Sequence, residues 1–281
     1  ANAVDIMVKG PYMYILSGDV NTSTQGQITV LDITNPGTPV FVDSYQNAQI
    51  LNATSMDMTA TGQLVVVTDN GPNGTLVQFD VNANGTFAGV HGAPINTHAA
   101  LMGAGDVVIH GDYAYITTSN TGAEIQLVDI SGANPLLGGT LNLQGSYALS
   151  VNPQDGLLYA FSANNGASQG ELQIYDIATA PGSPAYLGSV ANAALLGGTD
   201  IVVDHGVAYI TTNAGVWAVN VGNSASPTMI GEIDSGATTA DNNAVALIAD
   251  GGFIHVVADD SADSLLSYDI PPDGSIITAQ N

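Results

Sequence analysis

Short apolar runs alternate with polar turns along the whole chain, and one arrangement of them returns six times. Each copy has an acidic or small opening residue, an apolar strand, a turn, an aromatic or β-branched strand, a polar loop and a third strand that usually ends in Asp. Short strands at even spacing, with turn residues between them, are typical of propeller blades. The pattern predicts an all-β fold, a six-bladed β-propeller of four-stranded antiparallel blades. A parallel β-helix, which needs shorter rungs, is a distant second.

The spacing inside the copies indicates one recurring hairpin followed by a third strand. The copies open at Asp5, Asp57, Asp106, Ser150, Asp200 and Ala246. The residue nine positions later falls in the predicted second strand, at Tyr14, Val66, Tyr115, Tyr159, Tyr209 and His255. Third strands end at Asp32, Asp80, Asp129, Asp176, Asn220 and Asp269. We therefore expect a single domain with blades at about residues 4–52, 53–103, 104–146, 147–197, 198–243 and 244–281.

Three segments show the repeat most clearly. Residues 106–116 read DVVIHGDYAYI, residues 126–131 read QLVDIS, and residues 31–39 read LDITNPGTP. A strand ending in Gly, then Tyr-Ala-Tyr, then a strand ending in Asp before a Pro-containing turn resembles the LVIVD repeat family. The resemblance extends over essentially the whole chain. It implies a propeller and an extracellular habit, and it implies no particular activity.

The charge balance is unusual because basic residues are nearly missing. There are 25 acidic residues against one basic residue, Lys9, which gives a formal net charge of −24. Nucleic acid and anionic membrane surfaces are excluded as partners, because both need Lys or Arg to displace counter-ions. No apolar stretch approaches the roughly 18 residues of a membrane span, so no membrane insertion is expected. Self-repulsion can be relieved only by counter-ions, which makes Ca²⁺ the expected cofactor if there is one.

Localisation is predicted from the start of the chain, because the absence of Cys leaves the compartment open. The chain has no Cys, so disulfides, thiolate metal sites and Cys nucleophiles are all excluded. It begins with Ala1-Asn2-Ala3 rather than Met, as a mature product does after signal-peptidase cleavage, although a trimmed fragment would begin in the same way. We expect a secreted protein of the cell surface.

Acidic openers are the first candidate metal ligands. The first strands of propeller blades line the central channel, so Asp5, Asp57, Asp106 and Asp200 would gather at one mouth. Oxygen-only ligation suits Ca²⁺ or Mg²⁺. The more ordinary explanation is a turn or inter-blade hydrogen bond. A second, weaker candidate is the loop with Asp259, Asp260 and Asp263, which lacks the Gly and distal Glu of an EF-hand and is more often simply solvated.

The residue that ends each third strand is expected to have a structural role. Its side chain would accept hydrogen bonds from backbone N–H groups in the following turn. This prediction covers Asp32, Asp80, Asp129, Asp176, Asn220 and Asp269.

The inventory of side chains gives little support to an enzyme. There is no Cys nucleophile, no Arg to hold a phosphate, and no Gly-x-Ser-x-Gly elbow, so no catalytic residue is predicted. We predict a non-catalytic extracellular structural or adhesive module, a subunit of a surface layer or filament, with protein partners or self-assembly. The alternatives are a metal-dependent hydrolase or lyase that uses the four channel-mouth aspartates, and a secreted ligand-binding protein.

Overall fold

The protein is described from a computed structural model. The structure describes residues 3–18, 24–152, 154–212, 214–233, 244–250, 252–258 and 264–270. The chain divides into two compact units, residues 1–142 and residues 143–281. No helix in the described part of the chain is long and apolar enough to cross a membrane.

Unit 1 contains blades 1 to 3. Blade 1 consists of β1 (Ala3–Lys9), β2 (Tyr12–Ser17), β3 (Gly26–Asp32) and β4 (Val40–Asn47). Blade 2 consists of β5 (Ala53–Met58), β6 (Gln63–Asp69), β7 (Gly74–Val81) and β8 (Phe87–Val90), with the additional short strand β9 (Ile95–His98) paired to β7. Blade 3 consists of β10 (Val107–His110), β11 (Tyr113–Thr117), β12 (Ile125–Asp129) and β13 (Leu136–Leu141).

Unit 2 contains blades 4 to 6. Blade 4 consists of β14 (Ser146–Asn152), β15 (Leu157–Ser162), β16 (Gly170–Asp176) and β17 (Ala185–Asn192). Blade 5 consists of β18 (Asp200–Asp204), β19 (Val207–Thr212), β20 (Gly215–Asn220) and β21 (Thr228–Ile233). Blade 6 is described through β22 (Ala244–Asp250), β23 (Phe253–Ala258) and β24 (Ser264–Asp269), and its predicted fourth strand lies outside the described residues.

Consecutive strands of each blade pair antiparallel in chain order. Three single-turn 3-10 helices follow the outer strands of blades 1, 2 and 4, at Ala48–Ile50, Ala99–Leu101 and Ala193–Leu195. These are the only helices in the described chain. The predicted all-β fold, a six-bladed β-propeller, is confirmed.

The core lies between the faces of successive blades. Neighbouring residues along a strand point to opposite faces, so a blade covered on both sides is apolar on both. Tyr14 and Val30 of blade 1 pack with Met56 and Phe79 of blade 2 in one cluster. Similar clusters join blades 2 and 3, blades 4 and 5, and blades 5 and 6.

The register corrects the alignment of two repeats. In blade 1 a bulge precedes Asp5, which pairs with Leu16, and the two-residue turn at Gly10 and Pro11 joins β1 to β2. In blade 2 the corresponding bulge precedes Ser55, because four residues rather than two connect β5 to β6. Ser55, not Asp57, therefore occupies the position of Asp5. For the same reason Ala148, not Ser150, occupies it in blade 4.

Candidate functional site

Four aspartates in or directly before first strands form the candidate site, and we call them the inner-strand carboxylates. They are Asp5 in β1, Asp57 in β5, Asp106 just before β10 and Asp200 at the start of β18. All four side chains are partly buried. The structure brings three of them, Asp5, Asp57 and Asp106, into one region of unit 1, while Asp200 lies in unit 2.

Two inner-strand carboxylates make the same pair of backbone contacts. Asp5 accepts a hydrogen bond from the N–H of Ile6 and another from the N–H of Met56 in blade 2, both at 2.7 Å. Asp200 accepts from the N–H of Ile201 at 2.8 Å and from the N–H of Leu247 in blade 6 at 2.9 Å. Each carboxylate therefore ties the first strand of its own blade to the first strand of the next.

Asp57 makes this link from a position two residues further along its strand. One oxygen accepts the N–H of Met58 and the other accepts the N–H of Ile109 in blade 3, both at 2.7 Å. Because the two oxygens serve different blades, the carboxylate joins blade 2 to blade 3. A first-strand aspartate can thus perform the inter-blade role in either of two registers.

Ser55 lies between two inner-strand carboxylates and was not predicted from the sequence. Its hydroxyl oxygen is 3.2 Å from Asp5 Oδ2 and 3.2 Å from Asp106 Oδ1. The same oxygen accepts the N–H of Val107 at 3.3 Å. A hydroxyl has one proton and can donate to one carboxylate at a time. Ser55 of blade 2 therefore contacts blades 1 and 3, because its hydroxyl can donate to Asp5 or Asp106 while its oxygen accepts from Val107.

Burial shifts the acid–base behaviour of this region. Loss of solvation raises the pKa of Asp57 to about 6, and the nearby charge of Asp106 adds to that rise. The backbone hydrogen bonds from Met58 and Ile109 and the positive charge of Lys9 oppose the rise. Burial also raises the pKa of Asp5, against the hydrogen bonds that it accepts. The folded protein therefore holds protons here more tightly than an unfolded chain does.

Metal binding at these residues stays a prediction. Within the described part of the chain, no group of three or more His, Asp or Glu side chains is arranged to hold a metal ion. Backbone N–H groups already occupy one acceptor position on both oxygens of Asp5, Asp57 and Asp200. The acidic loop with Asp259, Asp260 and Asp263 lies outside the described residues.

Residues that end third strands mostly shape the turn that follows. In four of them, a side-chain oxygen accepts a hydrogen bond from the backbone N–H of the residue two positions later. The pairs are Asp32 with Thr34, Asp129 with Ser131, Asp176 with Ala178 and Asn220 with Gly222, at 2.8 to 3.0 Å. Hydrogen bonds from the side chains of Thr34 and Ser131, and then those from their backbone N–H groups, lower the pKa of Asp32 and of Asp129 respectively.

Two positions at third-strand ends differ from that arrangement. Asp80 contacts the His91 ring, with 2.9 Å between Asp80 Oδ1 and His91 Nδ1, and Gln63 approaches the same ring at 3.2 Å. This contact joins β6 and β7 to the segment after β8, and the repeat pattern gave no signal for it. Asp269 is paired with Phe253 at the end of β24, and the residues that would form its turn lie outside the described chain.

The hairpin, the Asp-ended third strand and the turn after it match a known repeat. The LVIVD repeat model matches residues 1–47 and 103–148, which contain blade 1 and blade 3. These two segments match the LVIVD repeat and make up about a third of the chain. The resemblance expected from residues 31–39 and 106–116 is confirmed, and the two LVIVD repeats of unit 1 are those with the short two-residue first hairpin. No curated protein sequence matches the chain.

Solved structures similar to this protein carry varied names. A proposed 6-phosphogluconolactonase from Bacteroides uniformis is 15% identical with a TM-score of 0.74, and the match covers 95% of this chain and 81% of that one. A protein of unknown function from Desulfotomaculum acetoxidans is 16% identical with a TM-score of 0.71, covering 99% and 84%. The Cps50 (Swd1) propeller domain from Myceliophteria thermophila is 13% identical with a TM-score of 0.70, covering 99% and 86%. At these identities the likeness shows the fold alone.

Proposed function

We propose that the protein is a non-catalytic structural or adhesive module of the cell surface that assembles with itself or with protein partners. One observation carries the proposal. The residues that could supply chemistry at the first strands, Asp5, Asp57 and Asp200, serve as acceptors for backbone N–H groups of two blades. A carboxylate held in this way stabilises the scaffold, because its oxygens are fixed toward the backbone.

The shortage of basic residues argues against the 6-phosphogluconolactonase activity that is named for the similar structure from Bacteroides uniformis. A phosphorylated sugar substrate is an anion, and anion sites normally use Arg, Lys or helix N-termini. This chain has a single basic residue and a net charge of −24. That residue, Lys9, is exposed at the end of β1 beside the first hairpin turn. The comparison therefore supports a shared scaffold and gives no support to a shared substrate.

Counter-ions are part of the proposal. Two copies with a net charge of −24 repel one another, and screening or divalent cations lower that repulsion. We propose Ca²⁺ as the cation that promotes assembly. The test is the particle mass from light scattering at rising protein concentration, with Ca²⁺ or with EDTA and matched ionic strength. Assemblies that grow with Ca²⁺ and dissolve with EDTA are expected, whereas a constant monomer mass in every condition would contradict self-assembly.

A second candidate function is a hydrolase or lyase that uses the inner-strand carboxylates. The observation in its favour is the raised pKa of Asp57, about 6, because perturbed carboxyl groups are frequent in active sites. The test is turnover of a panel of lactones and esters by wild type, Asp57→Asn and Asp129→Asn, with and without divalent metal. Activity that Asp57→Asn abolishes and Asp129→Asn retains would favour the enzyme. No turnover by wild type would leave the structural proposal.

A further inference from the structure

The turn between β7 and β8 of blade 2 carries the sequence Asn84-Gly85-Thr86. Asn-x-Ser/Thr, with any residue but Pro in the middle, is the acceptor sequence for N-linked oligosaccharides and is typical of surface loops in exported proteins. The chain contains this sequence four times, at Asn21, Asn52, Asn73 and Asn84. A chain rich in Asn, Ser and Thr contains such sequences by chance, so the folded environment has to distinguish among them.

Asn84 is exposed, and its side chain presents the amide nitrogen to solvent. Blade 2 is the middle blade of unit 1, so the blades on both sides of this turn belong to the same unit. Asn84 Oδ1 accepts hydrogen bonds from the Thr86 hydroxyl at 2.8 Å and from the Thr86 N–H at 3.3 Å. No described residue accepts a hydrogen bond from Asn84 Nδ2. The threonine hydroxyl of the acceptor sequence is thus held on the asparagine amide, while the atom that would carry a sugar is available.

The contacts that hold this turn leave Asn84 on the outside. The Gly85 N–H donates to the Asn82 carbonyl at 2.9 Å, and the Asn82 side-chain amide donates to the Thr86 hydroxyl at 3.0 Å. Gly85 has φ +81°, in the left-handed region, and a Cβ atom there would come within 2.9 Å of Tyr12 Cδ1 in blade 1. The turn therefore packs on blade 1 through Gly85, which is buried, while Asn84 beside it stays exposed.

The acceptor sequence at Asn52 is engaged at both of the atoms that matter. Asn52 Nδ2 donates to Asn70 Oδ1 at 3.1 Å. The Thr54 hydroxyl donates to the Ala104 carbonyl at 2.8 Å, and not to Asn52. Modification here would break contacts that join the start of blade 2 to a neighbouring loop and to the segment before blade 3.

The acceptor sequence at Asn73 has its threonine in the core. Thr75 is only 3% exposed, and its hydroxyl oxygen accepts the N–H of Thr97 at 3.3 Å. Asn21 lies outside the described residues. Among the three sequences that the structure describes, the one at Asn84 alone combines an exposed asparagine, an available Nδ2 atom and a threonine hydroxyl bonded to that asparagine.

We propose that Asn84 is an N-glycosylation site that accepts an oligosaccharide on the folded protein. The donor is a lipid-phosphate-linked oligosaccharide. Asn84 Nδ2 forms a bond to the anomeric carbon of the sugar, and the bond between that carbon and the phosphate oxygen breaks. The phosphate oxygen keeps the electron pair of the broken bond, and Nδ2 gives up one proton to a base of the transferase. The inference rests on the proposed location at the cell surface, because this modification belongs to exported proteins.

The test is glycan transfer in vitro to the folded full-length chain. The protein is incubated with an oligosaccharyltransferase that acts on Asn-x-Ser/Thr and with its lipid-linked oligosaccharide, and intact mass with peptide mapping measures the transfer. Synthetic peptides of residues 48–58, 69–79 and 80–90 serve as unfolded acceptors. We expect all three peptides to be modified, whereas the folded protein gains a glycan at Asn84 and none at Asn52 or Asn73.

Four variants of the folded protein check the assignment. Asn84→Gln and Thr86→Ala should lose the glycan at this turn. Thr86→Ser keeps a hydroxyl and should retain it. Asn73→Gln is the matched control and should leave transfer to Asn84 unchanged. Far-UV circular dichroism of each variant confirms that the blades remain folded.

Three results would overturn the inference. Transfer to the 80–90 peptide but not to the folded protein would mean that the fold hides the acceptor. Equal transfer to Asn52, Asn73 and Asn84 in the folded protein would mean that the fold does not select among them. No transfer to either the protein or the 80–90 peptide would mean that the sequence itself is rejected. Light scattering tests self-assembly separately, so a glycosylated protein that stays a monomer with Ca²⁺ would support this site and contradict the proposed assembly.

Discussion

Aspartate occurs at two sites in the repeat, and the two sites shift the pKa of its carboxyl group in opposite directions. Asp57, in a first strand, is largely buried, and its pKa is raised to about 6. Asp129, at the end of a third strand, lies near the surface, and its pKa is lowered by the hydrogen bonds with Ser131. Desolvation dominates at the first site and hydrogen bonding at the second. The same residue type therefore joins blades in one place and shapes a local turn in the other.

Removing the inter-blade acceptor should have the largest effect. Asp57→Ala leaves the N–H groups of Met58 and Ile109 without their acceptor, and Ile109 belongs to the next blade. We expect the free energy of unfolding to fall by about 2–4 kcal/mol. Urea unfolding at pH 5 measures it, because ionisation of the buried Asp57 carboxyl above about pH 6 would offset part of the loss. Equal losses for Asp57→Ala and Asp129→Ala would show that the two sites do not differ.

The pH dependence of stability should come next in size. The pKa of Asp57 is raised from 3.8 to about 6 in the folded state, so folding takes up a proton between these values. Its contribution is complete below pH 3.8 and is lost as the pH rises through about 6. The full span corresponds to about 3 kcal/mol. Urea unfolding of Asp57→Asn between pH 4 and pH 7.5 should lack this slope, while Asp129→Asn should keep it; equal slopes for wild type and Asp57→Asn would contradict the assignment.

Loss of the shared hydroxyl should be smaller. Ser55→Ala removes the acceptor of the Val107 N–H and the donor to Asp5 or Asp106. We expect a loss of about 1–2 kcal/mol and a higher pKa for Asp5, because one hydrogen bond that favours its charged form disappears. Thermal unfolding and NMR titration of the Asp5 carboxyl carbon measure the two effects. Ser55→Thr, which keeps the hydroxyl, is the control; equal losses in the two variants would exclude the hydroxyl as the cause.

The turn aspartate should matter least. Asp129→Asn retains an oxygen that accepts the Ser131 N–H, and the site is near the surface, where solvent screens the charge. We expect a change below about 0.5 kcal/mol at pH 7.5. Because the folded pKa is lowered, the carboxylate contributes stability above pH 3.8 and loses it in more acidic solution. A loss at pH 7.5 as large as that of Asp57→Ala would mean that this turn also links larger elements.

Periodicity was sufficient to predict the fold. The recurring first, second and third strands follow from alternation of apolar and polar residues, which the pleat of a strand imposes locally. The sequence also favoured a turn or an inter-blade hydrogen bond as the ordinary role of Asp5, Asp57, Asp106 and Asp200. The structure shows inter-blade hydrogen bonds at Asp5, Asp57 and Asp200.

Periodicity could not predict the register in which first and second strands pair. Val66 follows Asp57 by nine residues, as Tyr14 follows Asp5, so the sequence aligned the two hairpins. The register differs, because Tyr14 pairs with Met7, which lies after Asp5, whereas Val66 pairs with Met56, which lies before Asp57. The longer turn before Gln63 shifts the pairing, and turn length sets hairpin register. Ser55 was missed for this reason, since its role depends on residues about 50 positions away in two other blades.

Amide hydrogen exchange tests the central claim, that inner-strand carboxylates stabilise the next blade, most directly. The variants are Asp5→Ala, Asp57→Ala and Asp200→Ala, with Asp129→Ala as the control. The account predicts that each first-strand variant loses protection at one amide of the following blade, at Met56, Ile109 and Leu247 respectively, while the control changes only at Ser131. Unchanged protection at those three amides would contradict it.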